Sequence, residues 1–394
     1  MTLTRSMTLA LVATLFVAAS PVARAAPPTG APTAVVSMGD SYISGEAGRW
    51  QGNSPNSAGS RDGTDRACVF TAGVCTAYDK SLVYIPPSDT NGCHRSDVAE
   101  IKSAAISVAQ KINIACSGAV TANIWRAQSG GQTFKGELPQ SDQLATLARQ
   151  VNVKLVVLSI GGNDLGFADI VAACVTAYLS NGPPCQTTQD APLRAKMPTA
   201  MANVRKALDE IRLTLAADGY GPFDYRLELQ SYPSVIPRAA ENRYAEADKA
   251  SRGGLGGCPF YDSDSNWARD TVVPLISDNL KAAALARAAQ FIDLRDAFQT
   301  REICAKTTAL ASPTSPPSPT TSDWGRFLSG VTPVQGDLQE AVHPNAYGQK
   351  ALGTCLQLVF GAAPFDASHP NAKGYACKNT PGGDTSAMTI SPVP

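Results

Sequence analysis

Short apolar runs recur along this chain, and each breaks off in small or polar turn residues. Five of them read as strands, at 34–38, 111–115, 154–160, 225–230 and 290–294. The stretches at 97–109, 139–150, 165–179, 195–217, 267–289 and 346–360 read instead as helices with one apolar face. In the last of these, Ala351, Leu352, Leu356 and Val359 share one stripe. Strands alternating with helices predict an α/β fold, a three-layer α/β/α sandwich whose central parallel sheet is covered on both faces. Open sheets of this kind bind ligands at the carboxyl ends of their strands, so the residues just past each apolar run are where chemistry is sought.

Three of those ends are suggestive. The run Ala34-Val35-Val36-Ser37-Met38 is followed by Gly39-Asp40-Ser41-Tyr42-Ile43-Ser44-Gly45-Glu46, which places a hydroxyl in a glycine-flanked turn. The second run ends in Ala115-Cys116-Ser117-Gly118, and Leu155 to Ile160 ends in Gly161-Gly162-Asn163-Asp164. A serine hydroxyl is a poor nucleophile near neutral pH and needs a base, together with donors for the oxyanion formed on attack. The chain has three histidines, His94, His343 and His369. His343 opens His-Pro-Asn-Ala-Tyr-Gly at the start of the helix at 346–360, where an imidazole can project from a loop beside the sheet. His369-Pro370-Asn371 repeats that block and has Asp366 three residues ahead, but the Gly-, Thr-, Ser- and Pro-rich residues after it carry no helical stripe. His343 is therefore taken as the base and His369 as a turn residue. His94, between Cys93 and Arg95, reads as a packed or surface residue. Taken singly, Gly-Asp-Ser and Gly-Gly-Asn-Asp are well explained by turn chemistry, with Asp40 and Asp164 fixing their loops by hydrogen bonds.

Taken together and in order, Gly-Asp-Ser, a glycine in the second block, Gly-Gly-Asn-Asp and His-Pro-Asn resemble the SGNH hydrolases, also called the GDSL esterase and lipase family. The resemblance spans Ser41 to His343. It implies a flavodoxin-like SGNH hydrolase fold, Ser41 as nucleophile, His343 as general base, and an oxyanion hole made by the Ser41 and Gly118 backbone N–H groups with the Asn163 side-chain amide. Gly-Asp-Ser-Tyr-Ile-Ser-Gly-Glu, with Cys93-His94-Arg95-Ser96 and Ala115-Cys116-Ser117-Gly118, is similar to secreted actinobacterial members. Tyr42 stands where the family name has leucine, a side chain that packs rather than reacts. Glu340 stands three residues before His343, where many members carry the aspartate that orients the histidine, and it is given that role. Some relatives use a backbone carbonyl there instead. The lack of Gly-x-Ser-x-Gly argues against the nucleophile elbow of the α/β-hydrolases.

Composition narrows the function class. Basic and acidic side chains balance at 33 each, and loss of Arg5 and Arg24 leaves 31 basic, so no strong charge attracts nucleic acid. Arg5, the apolar run Met7 to Ala19 and the small-x-small Ala23-Arg24-Ala25 read as a signal peptide over 1–25, followed by a single domain over 26–394. Ten cysteines in an exported chain argue for disulfides. Proximity suggests Cys68 with Cys75, Cys174 with Cys185, Cys258 with Cys304 and Cys355 with Cys377, although spacing alone does not fix connectivity. The pairing of Cys93 with Cys116 is also implied by the resemblance and would tether the loop carrying Gly118. Irregular residues 45–93 are expected to form a wall or lid over the cleft, and the Pro-, Ser- and Thr-rich 311–322 an exposed loop. The resulting expectation is a secreted, monomeric serine esterase or lipase acting on carboxylic esters of lipids or small acyl groups. It would use no cofactor or metal and have no transmembrane segment in the mature chain. The alternatives are a carbohydrate esterase removing acetyl groups from polysaccharide, and a non-catalytic surface protein retaining the fold.

Overall fold

A computed structural model describes residue 28 and residues 30–328, 335–362 and 373–393. The leader at 1–25, Asp366 and His369 lie outside the described residues. Nine strands are present among those described: β1 (Thr33–Gly39), β2 (Cys68–Thr71), β3 (Val74–Tyr78), β4 (Gln110–Asn113), β5 (Asn152–Ser159), β6 (Arg226–Gln230), β7 (Gln290–Asp293), β8 (Gly374–Asn379) and β9 (Met388–Val393). Seven of them form the central sheet in the order β4-β1-β5-β6-β7-β8-β9, parallel throughout except for the antiparallel edge pair β8 and β9. Nearly every residue of β1 and β5 is buried, because helices cover both faces of the sheet.

The α-helices are α1 (Ser41–Ser44), α2 (Ser88–Asn91), α3 (Glu100–Ser103), α4 (Gln140–Ala148), α5 (Gly162–Leu165), α6 (Phe167–Leu179), α7 (Gln186–Ala217), α8 (Lys249–Gly253), α9 (Asp262–Trp267), α10 (Val273–Leu285) and α11 (Ala346–Gly361). The packed group α4, α7 and α10 covers one face and the pair α3 and α11 the other, giving a three-layer α/β/α sandwich. Chain order turns back between β1 and β5. The crevice at their carboxyl ends is the switch point at which such sheets place ligands.

Some elements depart from the sequence expectation. The helix expected over 97–109 is a single turn, α3, because Ala104 turns to extended backbone and the chain leads into β4 at Gln110. Helix α7 begins well before 195 and accommodates Pro192 and Pro198, whose exposed positions leave the freed carbonyls open to water. Its buried stripe of Leu193, Met197, Met201, Val204, Leu208, Ile211 and Leu215 follows the helical period. The C-terminal residues read as a tail instead extend the sheet as β8 and β9, and Cys377 of β8 is joined to Cys355 of α11. The other four bridges join Cys68 to Cys75, Cys93 to Cys116, Cys174 to Cys185 and Cys258 to Cys304.

Residues 45–93 do not line the main cavity, so the expected lid is not found there. They pack instead behind the His343 segment, with the hairpin of β2 and β3 on the outside. A buried arginine pair, Arg49 and Arg61, closes on Asp65, and Trp50 carries Arg326 on its ring at 3.6 Å. Residues 313–316 of the Pro- and Ser-rich stretch are exposed, while Ala311 and Ser322 at its ends are buried.

Candidate active site

At the end of β1 the chain must turn within van der Waals contact of β5. Gly39 is at φ +135°, and a Cβ there would lie 1.9 Å from the Ser159 carbonyl oxygen, so only glycine fits. The Gln140 side-chain amide completes the backbone of Gly39 in both directions, accepting from its N–H at 2.7 Å and donating to its carbonyl at 2.8 Å. Asp40 then caps α1, its Oδ1 accepting from the Tyr42 N–H at 3.1 Å. Ser41 is thereby the first residue of a one-turn helix at the mouth of the sheet.

His343 reaches the same point from the far end of the chain. Its Nε2 lies 2.7 Å from Ser41 Oγ, and its Nδ1 lies 2.9 Å from the carbonyl oxygen of Ala341. A carbonyl only accepts, so Nδ1 carries the proton and Nε2 presents its lone pair to the serine hydroxyl. Burial pushes the imidazole below its ordinary range, with the charge of His94 acting the same way, while Glu46 and the Ala341 carbonyl oppose.

Glu340 does not reach the ring, which corrects the role expected for it. Its Oε1 accepts from the Tyr84 hydroxyl at 2.6 Å, and its Oε2 from Trp50 Nε1 at 2.8 Å and the Asp337 N–H at 3.1 Å. Burial raises its carboxyl above the ordinary range despite Arg49, Tyr84 and Trp50. The orienting contact falls to the backbone because Val342, between Glu340 and His343, stands at φ +55° and turns the chain.

The expected oxyanion donors face the same cavity as Ser41 and His343. Gly118 follows the Cys116 whose disulfide reaches Cys93, and its φ of +88° is one that L side chains rarely adopt. Asn163, in α5, donates one Nδ2 hydrogen to the Ala119 carbonyl at 2.9 Å, which fixes its amide beside the Gly118 turn. Asp164 binds the N–H of Thr121 at 3.0 Å and its hydroxyl at 2.5 Å, so it fixes the loop as the sequence suggested.

Other contacts at the site carry no local signal in the sequence. The Tyr232 hydroxyl, just after β6, donates to Asp40 Oδ2 at 2.5 Å and accepts from the Gly162 N–H at 3.0 Å, tying the serine turn to the asparagine turn. Burial pushes the Asp40 carboxyl up to about 7 even with the hydrogen bonds from Tyr232 and Tyr42. His94 is buried, stacked on Tyr84 with ring centroids 4.5 Å apart, and its Nδ1 lies 2.9 Å from both oxygens of Glu46. Burial opposes charge on both partners, yet their mutual hydrogen bond and attraction outweigh it, holding Glu46 below and His94 above their ordinary ranges. Both residues lie in blocks that the sequence brings forward, Gly-Asp-Ser-Tyr-Ile-Ser-Gly-Glu and Cys-His-Arg-Ser, but nothing in either block marks them as partners.

From Ser41 a cavity of about 1100 Å³ runs between α6 and the segment from Tyr232 to Ile276. Phe167, Val171, Val175, Val235, Phe260 and Ile276 are among its apolar lining. Its size reaches the upper end of ordinary small-molecule pockets, about 300–1,000 Å³.

The model of the GDSL-like Lipase/Acylhydrolase family matches residues 98–351, which include Gly118, Asn163 and His343 but begin after Ser41. Among solved structures, an extracellular lipase from Streptomyces rimosus aligns at 21% identity, covering 83% of this chain and 98% of that one with a TM-score of 0.46. Phospholipase A1 from Streptomyces albidoflavus aligns at 20% identity over 84% of this chain and 98% of that one, with a TM-score of 0.45. A carbohydrate acetylesterase from Sinorhizobium meliloti aligns at 12% identity over 84% and 98%, with a TM-score of 0.35. No curated protein matches the chain.

Proposed function

This chain belongs to the GDSL-like lipase/acylhydrolase family, which makes it a carboxylic ester hydrolase, and we propose that it works through a Ser41 acyl-enzyme on esters of long apolar acyl chains. The contact that carries the reading is the 2.7 Å approach of His343 Nε2 to Ser41 Oγ. In the proposed cycle Ser41 Oγ attacks the ester carbonyl carbon while its proton passes to Nε2. The Ser41 and Gly118 N–H groups and the free Asn163 Nδ2 hydrogen hold the oxyanion. The carbonyl re-forms, the bond to the alcohol oxygen breaks, and Nε2 returns the proton to the leaving alcohol. Water, deprotonated by the same nitrogen, then attacks the acyl-enzyme, which releases the acid and restores the serine.

The apolar cavity beside Ser41 supports a long acyl chain over an acetyl group, which would leave that surface unused. Each methylene buried in it is worth about 0.8 kcal/mol. If realised in the transition state, that is about fourfold in kcat/KM per methylene. We read residues 26–394 as one secreted domain, a proposal supported by the export-like leader and the five disulfides. Among the described residues no helix is long and apolar enough to cross a membrane.

A fluorophosphonate should label the folded protein at Ser41 and fail to label Ser41→Ala. With p-nitrophenyl esters from acetate to palmitate, kcat/KM should climb with chain length until the cavity is filled. A protein that resists the label, or that turns over acetate best, would overturn the corresponding half of the proposal.

A further inference from the structure

We propose that Tyr42 is a positioning residue that holds the base through the backbone, its hydroxyl latching the Val342 carbonyl so that the turn before His343 keeps the Ala341 carbonyl on Nδ1. The inference rests on the reading of His343 as the base. Val342 is β-branched and stands at φ +55°, a conformation that such side chains adopt only when their surroundings impose it. Both of its backbone groups are held. The N–H donates to the Arg326 carbonyl at 2.9 Å, and the carbonyl accepts from the Tyr42 hydroxyl at 3.0 Å. One residue earlier lies the carbonyl that meets Nδ1, and one residue later lies the histidine itself.

Tyr42 is rigid enough to serve as the fixed end of such a latch. Its N–H is held by Asp40 and its carbonyl accepts from Gln349 Nε2 at 3.0 Å. Its ring meets those of Tyr232 and Phe167 edge-on, and its centroid lies 5.0 Å from that of His343. Because Tyr42 directly follows Ser41 on α1, the hydroxyl couples the nucleophile's helix to the turn carrying a base 302 residues away in sequence. The leucine expected at this position would fill much of the space but has no donor, so the tyrosine does more than pack.

Tyr42→Phe keeps the ring and removes only the donor. It should lower kcat about tenfold while KM stays within about twofold, the pattern of an interaction that matters in the transition state. In a Val342→Gly background the same φ carries no steric cost, so the further loss on adding Tyr42→Phe should shrink to less than about threefold. Unchanged kcat for Tyr42→Phe would overturn the proposal. So would an equal loss in both backgrounds, since the hydroxyl would then not act through the turn. Turnover surviving in His343→Ala would instead sink the assignment of the base, a failure distinguishable from that of the latch.

Discussion

Glu340→Gln should leave turnover within about threefold of the parent while lowering stability modestly, because the carboxylate serves the wall behind His343 and not the ring. The amide keeps the shape. Its oxygen can still accept from Trp50 Nε1 and the Asp337 N–H, and its NH₂ can donate to a Tyr84 hydroxyl that turns to accept. What is lost is charge assistance in three hydrogen bonds, about 1 kcal/mol each by the difference between charged and neutral pairs. Against this stands relief of the burial penalty that raises the Glu340 carboxyl in the first place. The net cost should be about 1–2 kcal/mol in the urea-unfolding free energy. Glu340→Ala should cost about 3–5 kcal/mol, since it leaves Trp50 Nε1, the Tyr84 hydroxyl and the Asp337 N–H without their acceptor and removes the negative charge beside the guanidinium groups of Arg49 and Arg326. Steady-state kinetics on a p-nitrophenyl ester decides the matter. Were Glu340 the orienting group, the neutral amide would be expected to cost about 10⁴ in kcat by favouring the wrong tautomer. A loss of that size with a near-native urea midpoint would refute the backbone assignment.

Asn163→Ala should lower kcat about 10²- to 10³-fold with little change in KM, since the side chain spends one hydrogen on Ala119 and has one left for the oxyanion; kcat within about threefold of the parent would remove it from the site. Val175→Trp, on the cavity wall formed by α6, should displace about two methylenes of a long acyl chain and cut kcat/KM for palmitate about fifteenfold while sparing acetate. An equal loss on both esters would place the chain elsewhere. The base must be neutral to act, and burial lowers its pKa further than Glu46 and the Ala341 carbonyl raise it. The acid limb of the kcat/KM profile should therefore fall below the ordinary imidazole value of 6.5, and a limb centred above 7 would contradict that balance.

The fold was legible wherever a strand is buried on both sides. Val35, Val36, Leu155, Val156 and Val157 have no exposed face to satisfy, so each run is continuously apolar and stands out in the sequence. Strands β8 and β9 lacked that signal. Lys378 and Thr389 face solvent, and Gly, Ser and Pro dilute the rest, so an edge pair held by its ladder and by one disulfide reads as a tail. The single turn of α3 misled for the opposite reason, since the apolar residues Ile101, Ala104, Ala105 and Val108 keep a helical spacing while the backbone has already left the helix at Ala104.

Local pattern and spatial contact also divide what could be read of the site. Ser41, Gly118 and Asn163 each end an apolar run, so their placement follows from strand direction alone, and His343 follows from the helix it introduces. The groups that fix them do not announce themselves. Gln140 lies 101 positions from Gly39, and Tyr232 lies 192 from Asp40; nothing in the residue type of a glutamine or a tyrosine marks it as a clasp. The partner of Nδ1 is harder still, because it is a main-chain carbonyl and every residue has one. An offset of three along the chain singled out the nearest carboxylate, but the left-handed turn at Val342 sends the Glu340 side chain toward Trp50 and leaves Ala341 facing the ring. Reading that contact from sequence would require recognising a valine held at positive φ, and the residue able to hold it there, Tyr42, is 300 positions away.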